Sequence, residues 1–250
     1  MTETGLKLKL SKCQFLRRQV PYLGHTISAE GVSCEAGKVE AVQKWPTRKN
    51  VTELRSFLGF ASYYRRFIKG FTKIAGPLHD LVNESSKSAK EKTASVSLLW
   101  GPTHQAAFES MKRALTSAPV LGYADYTKPF IVETDASHDG LSAILSQEQD
   151  GKQCVIAYAS RRLRPTEKNS SLYSSVKLEF LAMKWAITDR VTYPKYIQQH
   201  KHNVQMHSVT SPPSSITTSV LAGESINGNI IQRLLRSEIY QIISVEPYRY

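Results

Sequence analysis

Cysteine is scarce: Cys13, Cys34 and Cys154 are the only three. An odd number at wide spacing disfavours a disulfide framework or a CxxC metal site and favours a reducing compartment. Long apolar runs are absent, which excludes a transmembrane helix. The first residues, Met1 to Gly5, carry no apolar h-region, so no secretory signal is read. The location expected from these absences is intracellular, cytoplasm or nucleus, with no membrane partner. Acid is also in short supply. The 21 Asp and Glu face 33 Lys and Arg, which leaves a formal charge of +12. Such an excess favours a polyanion, most commonly nucleic acid, over a membrane surface, since the basic residues are spread over most of the chain. The plainer reading is a basic surface kept for solubility. After Arg190 there is no Asp, and the only acids are Glu224, Glu238 and Glu246.

What the chain does have is 250 residues, 41% hydrophobic, enough for one large or two small cores. Its most structured stretch runs from Pro129 to Ser146. Phe130, Ile131 and Val132 are strand formers, Asp139-Gly140 is a turn pair, and Leu141, Ala143 and Leu145 alternate with Ser142, Ile144 and Ser146. A third strand is predicted at 153–159 and a helix at about 171–187, with Val176, Phe180, Met183 and Ile187 as its apolar stripe, widened by Leu181 and Trp185. Asp135 lies near the end of the first strand, where a rigid carboxylate can hold a divalent cation. Taken alone, it reads as a turn cap. Glu179 lies beside the helical stripe, where it reads as a surface residue or as a carboxylate in need of a partner.

Upstream, residues 5–33 read as strands with a turn and residues 36–82 as helices. Thr52 is the expected cap of a helix bearing Leu54, Phe57 and Leu58. Residues 83–97 read as a Ser- and Lys-rich linker, followed by a helix from about Thr103 to Thr116 with Ala107, Phe108, Met111 and Leu115 as its core stripe. Tyr63, Phe67 and Phe71, interleaved with Arg65 and Arg66, suit either a core with a solvated cationic face or a surface that stacks and contacts phosphate.

Several of these motifs resemble one family. Thr134-Asp135-Ala136-Ser137 with Gly140 and Ala143-Ile144-Leu145-Ser146-Gln147 resembles the first hairpin of the ribonuclease H domain in gypsy-type LTR retroelement Pol polyproteins. Lys177-Leu178-Glu179-Phe180-Leu181-Ala182 resembles the helix that follows in that domain. Tyr22-Leu23-Gly24-His25 is similar to the primer-grip hairpin of the same elements' reverse transcriptase, and Leu54-Arg55-Ser56-Phe57-Leu58-Gly59 with Tyr63-Tyr64-Arg65-Arg66-Phe67-Ile68 to its thumb. The resemblance implies metal-dependent hydrolysis of RNA in RNA–DNA hybrids. Asp135 and Glu179 would be the first and second metal carboxylates, and Mg²⁺ the cofactor. It also implies nucleic-acid contacts at Tyr22, Gly24, His25, Tyr64, Arg65, Arg66, Arg161 and Arg162, with a hybrid or primer-template as partner.

The family pattern then breaks. Two-metal hydrolysis needs a cluster of acidic oxygens holding cations roughly 3.5–4 Å apart. The family supplies four acids, the third at the end of the strand after the Glu-bearing helix. Here residues 200–208 contain none. Asp189 sits ten residues beyond Glu179, about 15 Å along a helix axis and roughly 80° around it, so it does not complete the cluster. His200, His202 and His207 have no cysteine nearby and are not taken as a metal site. No Asp-Asp pair occurs, so polymerase chemistry would need a palm supplied by a partner chain.

The expectation is therefore an α/β chain, truncated relative to the family: a helical thumb-like N-terminal half, then an incomplete ribonuclease H-like mixed sheet with a helix. The predicted boundaries are 5–82 for the primer-grip hairpin and thumb, 83–125 for linker and tether helix, 126–191 for the ribonuclease H-like part, and 192–250 for an unmatched tail. Within the tail, Ser208 to Ser219 reads as a loop and 226–243 as an amphipathic helix. The functional expectation is nucleic-acid binding with impaired catalysis. The alternative is a non-catalytic interaction protein or a decayed copy.

Overall fold

The computed structural model describes residues 9, 13–46, 50–87, 100–168, 175–188, 204–208 and 217–220. The predicted tail helix at 226–243, Asp189, His200, His202 and most of the linker lie outside the described residues. The chain divides into two compact units, Met1–Ile68 with Ile74–Tyr123, and Lys69–Lys73 with Ala124–Tyr250.

The first unit opens with three short antiparallel strands, β1 (Gln19–Tyr22), β2 (His25–Ser28) and β3 (Gly31–Cys34). Leu121 extends this sheet through paired backbone bonds with Val32, each 2.8 Å. Helix α1 (Ala36–Gln43) follows, then α2 (Val51–Tyr63), α3 (Phe71–Lys87) and α4 (Pro102–Thr116). The cap of α2 is Asn50, whose side chain accepts from the Glu53 N–H at 2.9 Å, and not Thr52, which lies inside the helix. Asn satisfies an orphan donor of the first turn as well as Thr does. Helix α3 continues to Lys87, past the boundary expected for the linker. The Lys- and Ser-rich composition there is compatible with the last turns of a surface helix. The buried faces of α2 and α4 meet through Phe57 and Phe108, whose ring centroids are 4.5 Å apart, with Leu54, Leu58, Met111 and Leu115 around them. Trp45 closes the edge of this cluster against Phe57 and Phe60.

The second unit is a five-stranded mixed sheet with a helix on one face. Its strands are β4 (Phe130–Ala136), β5 (Gly140–Gln149), β6 (Lys152–Arg162), β7 (Val204–Ser208) and β8 (Thr217–Val220), in spatial order β6-β5-β4-β7-β8. All neighbours are antiparallel except β4 and β7, which are parallel. β8 falls largely within the stretch expected to be a loop. It pairs with β7 as the second arm of an antiparallel hairpin, and its Thr-Thr-Ser-Val run shares the Ser/Thr composition from which the loop is expected. Helix α5 (Ser175–Thr188) lays Leu178, Ala182, Trp185 and Ala186 on Phe130, Val132, Leu141, Ala143 and Leu145. The buried stripe is thus turned from the predicted one: Val176 is exposed, and Phe180 and Met183 are only partly buried. Two alanines let the helix approach the sheet closely, and the larger side chains fall on its flanks.

The turn between β4 and β5 holds a further difference. Gly140 does not adopt a left-handed φ. It is required because a side chain there would lie 2.5 Å from the Arg161 carbonyl oxygen on β6.

Candidate nucleic-acid interface and carboxylate pair

The β1–β2 hairpin reverses at Leu23 and Gly24, both with positive φ, +48° and +75°. The flanking pair is Tyr22 and His25, so the loop has two residues and the type I′ sense that suits strand twist. A leucine in this conformation costs on the order of 1 kcal/mol, and the surroundings compensate. Tyr63, the last residue of α2, donates its hydroxyl to the Leu23 carbonyl. Tyr64 donates to the Gly24 carbonyl at 2.7 Å, and the Glu35 N–H donates to the same oxygen at 3.2 Å. Gly24 admits no side chain, because its Cβ would fall 2.9 Å from the Tyr64 hydroxyl. His25 stacks on Tyr63 at 5.2 Å between centroids and 8° between planes, and meets Tyr64 edge-on. Burial, and then the Arg66 charge, lowers the His25 pKa from its ordinary value, so the ring is neutral near pH 7. Its Nδ1 is buried without a partner.

This docking leaves a projecting knob. Tyr22 is 62% exposed, Leu23 70% and Tyr63 53%. Arg66 is exposed beside it in the chain, and its guanidinium lies 5.8 Å from the Phe67 ring centre. Arg65 is half-buried and has partners of its own. Of the residues expected to touch nucleic acid, Tyr22, Gly24 and His25 form the hairpin, and Arg66 lies near enough to act on the charge of His25. Tyr64 is buried with its hydroxyl engaged, so it supports the turn from beneath. Leu23 is not among the expected residues, and Tyr63, expected as either core or stacking surface, is exposed. The signal was the Leu-Gly pair between two short strands, followed downstream by adjacent tyrosines.

Arg161 and Arg162 lie at the end of β6. Arg161 forks onto Glu167 through two bonds of 2.7 and 3.1 Å and stacks 5.7 Å above Trp185 of α5. Glu167 also accepts the Arg164 N–H at 2.8 Å. This arrangement holds the Glu167 carboxyl below its usual range, with the Arg161 hydrogen bond as the leading cause. Arg161 is thus engaged within the fold. Arg162 is half-buried with its own partners.

Asp135 is exposed on β4 and pairs in register with Ser142 of β5. By strand alternation it shares the side of Ile131 and Glu133, whereas α5 packs on the side of Phe130 and Val132. Glu179 is partly buried on α5, next to the core residue Leu178, and has an interaction of its own. Strand β7 runs parallel beside β4 with Ser208 opposite Thr134, and its sequence, Val-Gln-Met-His-Ser, contains no acid. Among the described residues, no group of three or more His, Cys, Asp or Glu could hold a metal ion. The donor set among the described residues does not fit the paired Mg²⁺ ions that the family resemblance implies.

Residues 100–204 match the RNase H-like domain found in reverse transcriptase. The chain is 36% identical over 194 residues to the retrovirus-related Pol polyprotein from transposon opus of Drosophila melanogaster, covering 77% of this chain and 19% of that one. It is 36% identical over 189 residues to the corresponding polyprotein from transposon gypsy of the same fly, covering 75% and 18%. The chain belongs to the gypsy-type retroelement Pol polyproteins. It corresponds to the C-terminal region of the reverse transcriptase and the RNase H-like domain, and spans about a fifth of the length of these relatives. Among solved structures, the foamy viral protease-reverse transcriptase in complex with RNA/DNA hybrid aligns with a TM-score of 0.62 at 24% identity, over 81% of this chain and 25% of that one. The same viral protein in complex with dsDNA aligns with a TM-score of 0.64 at 22% identity, over 92% and 44%. These likenesses show the fold, a mixed α/β arrangement with helices in the N-terminal part of this Pol chain.

Proposed function

We propose that this Pol chain binds nucleic acid, an RNA–DNA hybrid or primer-template duplex, at the β1–β2 hairpin and the cationic end of α2, without hydrolysing it. The observation that carries this reading is the exposed Tyr22–Leu23 tip, held by Tyr63 and Tyr64 in a left-handed turn near Arg66. An aromatic and apolar knob near a cation suits contact with the sugar-phosphate backbone and base faces. The net charge of +12 adds attraction at long range. The complexes of the foamy viral enzyme with hybrid and with duplex DNA support the same ligand class.

The non-hydrolytic part of the proposal is supported by the donors among the described residues. Mg²⁺ demands near-octahedral oxygen ligands, and a second ion needs further acid to offset its repulsion. Asp135 alternates with the residues of β4 that face α5, and Glu179 is partly buried on α5 itself. The strand beside them adds no carboxylate.

The test is a titration of hybrid duplex at two ionic strengths, with a cleavage assay run in parallel. Phosphate neutralisation releases counterions, so log K should fall with log salt at about −0.9 per phosphate contacted. Cleavage should stay at background in Mg²⁺ or Mn²⁺. Binding that is absent at low salt, or insensitive to salt, would refute the proposal. Cleavage that Asp135→Asn abolishes would refute its non-hydrolytic part.

A further inference from the structure

We infer that Tyr63 and Tyr64 are positioning residues: their two hydroxyls hold the hairpin tip in the one backbone shape that presents Tyr22 and Leu23 to a nucleic-acid backbone. This rests on the binding role proposed above.

Neither Leu23 nor the strand pairing of β1 and β2 enforces the turn. Leucine avoids positive φ, and each strand has only four residues. β2 is also paired with β3, but β1 is an edge strand held by β2 alone, so its short ladder does little to fix the turn. The tip is instead tied to the end of α2 by two phenol donors on consecutive residues, Tyr63 to the Leu23 carbonyl and Tyr64 to the Gly24 carbonyl. Two adjacent carbonyls with fixed donors allow the peptide planes on either side of Gly24 little freedom to flip. The ring of His25, stacked on Tyr63 and packed on Tyr64 and Phe67, sets the direction of the strand that leaves the turn. The division of labour is visible in exposure. Tyr64 is 2% exposed and acts from below, while Tyr63 is half open to solvent and both supports the tip and borders its surface. The hydroxyls are thus not themselves proposed to contact the ligand; they fix the backbone of the residues that do.

The experiment compares the unaltered chain with Tyr63→Phe, Tyr64→Phe and the double variant. Phenylalanine keeps the ring and its stacking and removes only the donor. Two readouts are taken: affinity for hybrid duplex at two salt concentrations, and hydrogen exchange of the amides at 22–25. Each single change should weaken binding about threefold and the double about tenfold, the scale of ordinary hydrogen bonds. The salt slope should stay unchanged, since no phosphate contact is removed. The tip amides should exchange faster while those of α4 do not. A general loss of stability would move both sets of amides, so the local change separates positioning from mere structure. Should Tyr64→Phe disturb the core, Tyr63→Phe carries the test, because its ring already faces solvent. Variants that bind as tightly as the unaltered chain would overturn the inference and leave the binding proposal standing. An unaltered chain that does not bind hybrid at low salt would overturn the binding proposal and the presentation role with it. Unchanged exchange at 22–25 would overturn the tether itself.

Discussion

The two compact units use their polar side chains in different ways. In the first, tyrosine hydroxyls and a glutamate N–H converge on the backbone of an exposed turn, and the side chains at its tip are left open to solvent. In the second, the strongest polar contacts point inward. Arg161, Glu167 and the Arg164 amide bind the end of β6 to a short 3-10 turn and set the guanidinium over Trp185 of α5. Asp135, one of its exposed acids, stands where the family resemblance implies a metal carboxylate, and the neighbouring β7 carries no acid. A surface presented by main-chain shape needs fewer residues than a site that requires several charges at once.

The sharpest way to break this comparison is at Glu167. Glu167→Ala leaves the partly buried Arg161 charge without its carboxylate, and the second unit should lose about 3 kcal/mol, the lower end of the range for a broken buried pair. Chemical denaturation measures it, and a loss under 1 kcal/mol would mean that the pair is solvated and the contrast with the first unit overstated. A smaller effect concerns acid. The folded His25 pKa is lowered, so between that value and the ordinary value of about 6.5 the unfolded chain binds more protons than the folded one. Stability of the first unit should fall as pH drops below about 6.5 and be flat above it on this account. Thermal midpoints from pH 7.5 to 5 test the sign, and His25→Phe, which cannot titrate, should flatten the profile. The smallest effect is expected at Asp135. With no acid cluster around it among the described residues, Asp135→Asn should leave hybrid affinity and stability within about 0.5 kcal/mol, as for an ordinary surface change. A drop of tenfold in affinity only when Mg²⁺ is present would show that the ion helps hold the ligand.

Much of the scaffold was legible in local pattern. Leu54, Phe57 and Leu58 on α2 and Phe108, Met111 and Leu115 on α4 recur at helical spacing and are buried, and Leu141, Ala143 and Leu145 alternate as the strand requires. What local pattern missed depends on partners distant in sequence. The stripe of α5 was read toward its large residues, because hydrophobic size is visible in a sequence while the closeness of an opposing sheet is not; Ala182 and Ala186 face the sheet instead. Gly140 was read as a turn glycine, whereas its constraint comes from Arg161 across the next strand. Of the candidate site, the Tyr22–His25 hairpin and the arginines after α2 were visible as motifs. The supporting role of Tyr64 and the inward engagement of Arg161 were not, since each depends on a hydrogen-bond partner that local pattern does not reveal.

A buried amide on β5 shows the same dependence on distant partners. Gln147 is fully buried, and its side chain accepts the Asp125 N–H at 2.8 Å and donates to the carbonyls of Asp125 and Lys128 at 2.8 and 3.2 Å. The segment it fixes leads into β4, yet Gln147 is reached only after β4, the turn and most of β5. The stretch at 125–128 is therefore held by a side chain some twenty positions further on. Any opening of the β4–β5 hairpin that withdraws Gln147 leaves the Asp125 N–H and the two carbonyls without these partners, so this one amide couples the entry of β4 to the integrity of the hairpin.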